Sequence, residues 1–125
     1  MQTFLVSFTY HTARDWALAE ITRQPLEPAT TSLFVQAVSA EDAVAWVEDV
    51  ATRFMASLNH GDDKSWRDWN HRCWIENDPA GVGLIGDLSY LQTIRVGETP
   101  VFERMTVEAY LDWLELYGVV DEAQD

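Results

Sequence analysis

The chain is poor in cysteine and in basic residues, and each shortage excludes a class of structure. Cys73 is the only cysteine among 125 residues, so neither an intrachain disulfide nor a four-cysteine zinc site can form. Lysine and arginine number 8 against 21 aspartates and glutamates, which gives a formal net charge of −13 at pH 7. Because such a surface repels phosphate groups and anionic lipids, we expect neither nucleic acid nor a membrane as a partner.

Long apolar runs are missing as well. No apolar stretch approaches the ~20 residues that a membrane-spanning helix needs. Residues 1–10 lack the basic flank and the continuous apolar segment of a secretory signal peptide. We therefore expect a cytoplasmic protein.

Apolar and aromatic residues are plentiful by contrast. Hydrophobic residues make up 47% of the chain and aromatic residues 12%, with six tryptophans. This composition is typical of a globular domain whose core is rich in rings, and the length suits one domain. We predict a single α+β domain over residues 1–118, followed by an acidic tail over residues 119–125.

Hydrophobic periodicity predicts four strands and two amphipathic helices. The strands lie at about residues 3–10, 31–38, 69–76 and 88–96, and the helices at about 40–58 and 107–117. Residues 12–21 fit either a short helix or an extended arm, so the order is ββαββα with a possible extra short element near residue 16. The simplest fold is a two-layer α+β domain, with a mainly antiparallel four-stranded sheet and both helices on one face.

The same periodicity predicts which side chains are buried. The first strand alternates so that Phe4, Val6, Phe8 and Tyr10 share one firmly buried face. The second strand is apolar on both sides, which places it inside the sheet. The predicted common core consists of Phe4, Val6, Phe8, Val35, Val47, Phe54 and Leu111.

One glycine-rich motif raises the question of a nucleotide cofactor. Residues 81–86 read Gly-Val-Gly-Leu-Ile-Gly, the glycine spacing of a dinucleotide-binding loop. A strand pattern follows it where such a site has a helix, and Asp78 and Asp87 would repel phosphate. We interpret the motif as a loop between strands and expect no cofactor.

A pocket, metal site or catalytic site near residues 60–78 would depend on His71, Cys73 and Glu76. His71 and Cys73 lie two apart on a predicted strand, so they point to one side and could contact the same ion. Trp69 and Ile75 share that side, which favours core packing, and no second ligand pair completes a tetrahedral set. We expect neither a metal site nor a catalytic residue.

Two groups of residues are candidates for a protein interface. Trp66 and Trp74 stand beside Arg67 and Arg72, and an exposed tryptophan next to an arginine is a common interface anchor. The alternative is that these rings cover the sheet and stack on the arginines. On the second helix an acidic face, either solvated or turned to a basic partner, is formed by Glu108, Asp112 and Glu115.

Together these patterns favour a non-enzymatic interaction domain over an enzyme. By composition alone it is like small inhibitor, immunity or regulatory domains, and its expected partner is a basic protein or a second copy of itself. The alternative is a small-molecule-binding or catalytic domain with a pocket near residues 60–78. Polar tips of His71, Cys73 and Glu76 converging in a deep pocket would favour that alternative, and a closed core would favour the interaction domain.

Overall fold

The structure, a computed structural model, describes residues 1–25, 28–58, 66–69, 71–77 and 90–117. The described elements include a first 3-10 turn, Trp66–Trp69, and a second, Phe102–Arg104. The strands and helices, in chain order, are β1 (Gln2–Tyr10), α1 (Ala13–Thr22), β2 (Ala29–Ala37), α2 (Ala40–Leu58), β3 (Cys73–Ile75), β4 (Thr93–Arg95) and α3 (Val107–Tyr117).

The four strands form one mixed sheet in the order β3-β1-β2-β4. β1 pairs antiparallel with β2 along its whole length, from Gln2 opposite Ala37 to Tyr10 opposite Ala29, and antiparallel with β3. β4 pairs parallel with β2. A parallel pair needs a long connection, and here α2 and β3 lie between the two strands in the chain. The predicted α+β fold with a mainly antiparallel four-stranded sheet is confirmed, and so is the interior position of β2.

The structure decides one open alternative in the predicted element order and corrects one detail. The segment near residue 16 is a helix, α1, rather than an extended arm. β3 and β4 have only three residues each, and Trp69 belongs to a 3-10 turn instead of a strand. The glycine motif at residues 81–86 lies outside the described residues, as does the tail at residues 119–125.

Helix α2 covers the face of the sheet to which Val6, Phe8 and Tyr10 point. Its core-facing stripe consists of Ala43, Val47, Val50, Ala51, Phe54 and Met55, all buried. The Phe54 ring meets Phe8, Tyr10 and Phe102 at centroid distances of 5.9, 5.0 and 5.7 Å. These edge-to-face contacts bind the helix, the sheet and the second 3-10 turn into one core.

Most of the predicted core is confirmed, with one error on α3. Val6, Phe8, Val35, Val47 and Phe54 have no exposed surface, and Phe4 is partly buried against them. Leu111 is 55% exposed. The preceding residue, Tyr110, takes the inward position, because successive residues of a helix point about 100° apart.

The opposite side of β1 is also buried at its centre. Leu5 and Ser7 are covered, and the Ser7 hydroxyl forms a 2.7 Å hydrogen bond with the buried hydroxyl of Ser32 on β2. The expectation of a single buried face on β1 is therefore wrong. The pairing satisfies two hydroxyls that burial would otherwise leave without water.

Side-chain caps fix the starts of all three helices. Ser39 accepts the Asp42 amide at the start of α2, and Thr106 accepts the Ala109 amide at the start of α3. Thr12 and Asp15 form a reciprocal capping box on α1. Within the described ranges, no helix combines the length and the apolar character that crossing a membrane requires.

Candidate functional site

His71 belongs to a hydrogen-bonded network at the end of β1. Its Nδ1 lies 3.1 Å from Thr9 Oγ1, its Nε2 lies 3.0 Å from Nδ1 of the buried His11, and its ring stacks on Trp66. Burial, and to a smaller extent the neighbouring His11, lower the pKa of His71 to about 4. At neutral pH His71 is therefore uncharged, and it links the segment before β3 to the end of β1.

Cys73 is the first residue of β3, and its side chain packs against α2. Its Sγ lies 3.9 Å from the carbonyl oxygen of Val44. Burial raises the pKa of the thiol to about 12, Glu48 acts in the same direction, and Arg67 opposes both. A thiol in this environment stays protonated, so Cys73 does not have the character of a nucleophile.

Glu76 points along β3 rather than toward His71 or Cys73. One carboxylate oxygen accepts the indole N–H of Trp74 at 3.1 Å, and the Arg72 guanidinium lies 5.3 Å from the Trp74 ring centre. Arg72, Trp74 and Glu76 thus line up on one side of the strand, as alternation predicts. Trp74 is partly buried in this stack.

The three pocket candidates therefore have separate partners. His71 contacts Thr9 and His11, Cys73 contacts Val44, and Glu76 contacts Trp74. Across the described part of the chain, no group of three or more histidine, cysteine, aspartate or glutamate side chains could hold a metal ion. Four further residues of this stretch have side chains that can bind metal ions, namely His60, Asp62, Asp63 and Asp78, and they lie outside the described residues.

Trp66 is a core residue and is not available as a surface anchor. It is only 3% exposed, packs edge-on against Phe8, and donates its indole N–H to the Thr9 carbonyl oxygen at 2.7 Å. The first 3-10 turn carries this ring under β1 and leaves its neighbour Arg67 exposed. The sequence could not separate these two outcomes, because the polar residues around Trp66 suggested a solvated connection.

Arg67 instead reaches α2, beside an apolar groove. This α2 groove has a volume of about 370 Å³ and is lined, among described residues, by Ala40, Glu41, Val44, Ala45 and Glu48. Arg67 Nη1 lies 3.4 Å from Oε1 of Glu48, with side chains 52% and 36% exposed respectively. β3 and the first 3-10 turn both contact α2, on the side where Cys73 and Arg67 meet it.

The acidic residues predicted on α3 are at the surface. Glu108, Asp112 and Glu115 are all exposed. Their four- and three-residue spacing places them near one another on the helix. They add negative charge to a surface that also exposes Glu41, Asp42 and Asp49 on α2.

Helix α1 carries exposed hydrophobic residues that sequence reasoning did not select. Trp16, Leu18 and Ile21 are 43%, 48% and 77% exposed. The threonine and aspartate of the capping box, Thr12 and Asp15, were the available signal for a helix. The direction of its apolar side chains was not predictable, because they are spread around the helix instead of forming one stripe.

Comparison of the chain with models of known protein families, with curated proteins and with solved structures gives no match.

Proposed function

We propose that this chain is a protein-binding domain whose partner presents basic side chains, and that the α2 groove receives one of them. The observation that carries the proposal is an apolar floor between two carboxylates on the same helix. Val44 and Ala45 form the floor, with Glu41 and Glu48 at its two ends. An arginine or lysine side chain has the matching structure, an apolar stem with a cation at its end.

The spacing of the carboxylates suits such a side chain. Seven residues of helix make almost two turns and about 10 Å of rise, so Glu41 and Glu48 lie on nearly the same side of α2. Glu48, in the middle of the helix, is the better position for a cation, since the helix dipole is unfavourable to positive charge near Glu41. The stem then lies over Val44 and Ala45.

Glu48 already pairs with a guanidinium of this chain. The Arg67–Glu48 pair has a 3.4 Å separation and both side chains are substantially exposed. Exposed pairs of this kind stabilise a protein by about 1 kcal/mol or less. An incoming arginine can therefore replace Arg67 or share Glu48 with it at small energetic cost.

The charge of the whole chain supports the same partner. At −13 the chain attracts a basic surface over distances longer than a contact. The separate partners of His71, Cys73 and Glu76 favour this reading over a catalytic or small-molecule pocket near residues 60–78. Arg72, Trp74 and the α3 acids Glu108, Asp112 and Glu115 remain candidates for the outer part of the interface.

The test is a titration of the protein with a short arginine-rich peptide, followed by amide chemical shifts. We expect the largest shifts at Glu41, Val44, Ala45 and Glu48. The E41Q/E48Q variant should bind roughly five- to tenfold more weakly, as expected for the loss of two exposed charge contacts.

The matched control is E20Q/E103Q, on α1 and the second 3-10 turn, which removes two negative charges from exposed positions outside the proposed interface. It should bind the peptide nearly as well as the unaltered protein. Equal weakening by both variants would mean that the peptide senses only net charge, and the α2 groove would then not be a binding site.

A further inference from the structure

We infer that residues 97–101 form a strap that blocks strand addition at the outer side of β4, and that chains whose strap is released associate through this strand. β4 ends the strand order β3-β1-β2-β4. The outer side of such a strand presents backbone N–H and C=O groups that can pair with a strand of another chain. The strap shares no residue with the α2 groove, and the inference does not depend on the proposed function.

The hydrogen bonds between β4 and β2 show which backbone groups of β4 face outward. The Gln92 carbonyl oxygen accepts the Phe34 amide at 2.9 Å, and the Val96 amide donates to the Gln36 carbonyl oxygen at 3.2 Å. Alternate residues therefore direct their backbone groups to β2, which leaves the N–H and C=O of Arg95 pointing away from it. A strand added on this side would need both groups of Arg95.

Glu98 occupies both outward groups of Arg95. Its amide donates to the Arg95 carbonyl oxygen at 2.9 Å, across a turn in which Gly97 has a φ of 98°. Its carboxylate accepts the Arg95 N–H at 2.8 Å. A positive φ at the third position of a turn favours glycine, so the sequence supports this reversal of the chain. Arg95 has neither group available for a further strand.

Gln92 fastens the other end of the strap. Its side-chain amide accepts the Val101 N–H and donates to the Val101 carbonyl oxygen, both at 2.9 Å. A residue of a neighbouring antiparallel strand would make the same two hydrogen bonds through its backbone. Pro100, which is buried, has no N–H and cannot extend a backbone ladder. The strap therefore returns beside β4 without presenting a regular strand of its own.

Helix α2 holds the middle of the strap. Trp46 donates its indole N–H to the Glu98 carbonyl oxygen at 2.9 Å, and Arg53 donates to the Thr99 hydroxyl at 3.0 Å. The Arg53 guanidinium also lies 5.3 Å from the centre of the Trp46 ring. These hydrogen bonds are exposed, as is the one between Glu98 and Arg95, so water can replace them. Opening the strap therefore requires less free energy than unfolding the core.

The first experiment is amide hydrogen exchange at Arg95, which reports directly on the contact with Glu98. Its amide should exchange at least about tenfold faster in E98A than in the unaltered protein, because the acceptor is lost. The E98Q variant keeps an oxygen at that position, so its Arg95 amide should remain protected. An unchanged exchange rate in E98A would overturn the inference.

The second experiment is sedimentation velocity in about 1 M sodium chloride, where a Debye length of about 3 Å screens the repulsion between chains of charge −13. The Q92A/E98A variant removes both fastenings. Its association constant should be at least about tenfold higher than that of the unaltered protein. In a purified sample the strand that pairs with β4 belongs to a second copy.

A further substitution, T93P, separates pairing through β4 from aggregation of unfolded chains. Thr93, like Arg95, directs its N–H away from β2, so proline removes an outward group and leaves the bonds to β2 in place. Adding T93P to Q92A/E98A should return the association constant to that of the unaltered protein. Circular dichroism checks that each variant is folded.

The matched control is Q24A/E103A, which removes the same two types of side chain from exposed positions away from the strap. It should associate no more than the unaltered protein. The inference would be wrong if Q92A/E98A associated no more than this control, or if T93P left its association unchanged.

Discussion

At the scale of single residues, the hydrogen bonds of His71 fit the neutral form of its imidazole, in which only one ring nitrogen carries a proton. Thr9 Oγ1 accepts the Arg72 amide N–H at 2.9 Å, which leaves its own hydroxyl proton for His71 Nδ1. Nε2 of His71 then carries the ring proton and donates a hydrogen bond to Nδ1 of His11. A second proton on His71 would remove the acceptor of the Thr9 hydroxyl and place a charge beside another imidazole.

The lowered pKa of His71 predicts a loss of stability in acid. In the unfolded chain its pKa is near 6.5, and in the folded chain it is about 4. Between these values the unfolded state binds more protons, so the free energy of unfolding falls as pH decreases from 6.5 toward 4. Because the ring is only partly buried, we expect its share of this loss to be about 1–2 kcal/mol.

The measurement is urea denaturation between pH 7 and pH 4, comparing the protein with its H71N variant. Titrating carboxylates affect both proteins, so the difference between the two curves isolates His71. The unaltered protein should lose more stability than H71N below pH 6.5. Parallel curves would show that protonation of His71 does not oppose folding.

Cys73 leads to a second prediction at this scale. Since burial raises the pKa of its thiol to about 12, little thiolate exists at pH 8 in the folded protein. A disulfide reagent should therefore react slowly with the native chain and rapidly after denaturation in guanidinium chloride. A native rate close to that of a free thiol would show that Cys73 is accessible and activated, and a catalytic role would then have to be reconsidered.

At the scale of elements, the attachment of α2 to the sheet depends on Phe54. Its ring is fully buried and meets Phe8, Tyr10 and Phe102. The F54A variant should be less stable by about 3–5 kcal/mol, through lost burial and the cavity left behind. The exposed Leu111 provides the control, and L111A should lose less than about 1 kcal/mol. A loss below about 1 kcal/mol for F54A in chemical denaturation would contradict this packing.

The elements differ in how well the sequence predicts them, and the reason is local. α2 and α3 are found at their predicted positions, because helical periodicity, the caps Ser39 and Thr106 and a dominant apolar stripe agree. The ends of β3 and β4 were not predictable, since strands of three residues are defined by their neighbours. The parallel pairing of β4 with β2 depends on the path of the chain between them, and the residues of the two strands do not indicate it.

The candidate site was less predictable than the fold, because exposure depends on tertiary packing. Trp66 and Trp74 look alike in the sequence, yet one is buried under β1 and the other packs with Arg72 and Glu76. Glu41 and Glu48 were recognisable as lying off the apolar stripe of α2. The groove between them is lined, among the described residues, by α2 alone, and no sequence pattern shows that this part of the helix stays uncovered in the fold.

At the scale of the whole molecule, the few basic residues are largely engaged within the chain. Lysine and arginine total 8, and five described arginines contact groups of their own chain. These contacts are Arg53 with Asp49, Arg67 with Glu48, Arg72 with Trp74, Arg95 with Gln36 and Arg104 with Tyr90. Arginines held beside acids or rings cannot form a continuous positive stripe.

The last prediction concerns duplex DNA, for which the arginines in the described part of the chain offer no continuous positive surface. Nonspecific DNA binding gains its affinity from neutralising phosphates with lysine and arginine and releasing their counterions. A chain at −13, five of whose arginines already contact groups of their own chain, gains little from that exchange and is repelled as it approaches. We therefore expect no binding to a duplex of about 20 base pairs at 0.15 M salt, even near 100 µM protein.

Fluorescence anisotropy with a labelled duplex measures this, and an arginine-rich peptide binding the same duplex serves as the positive control. Lowering the salt should lengthen the range of the repulsion and still produce no binding. Tight binding at 0.15 M salt would mean that positive charge is concentrated somewhere on this surface, and the argument for a basic partner would fail with it.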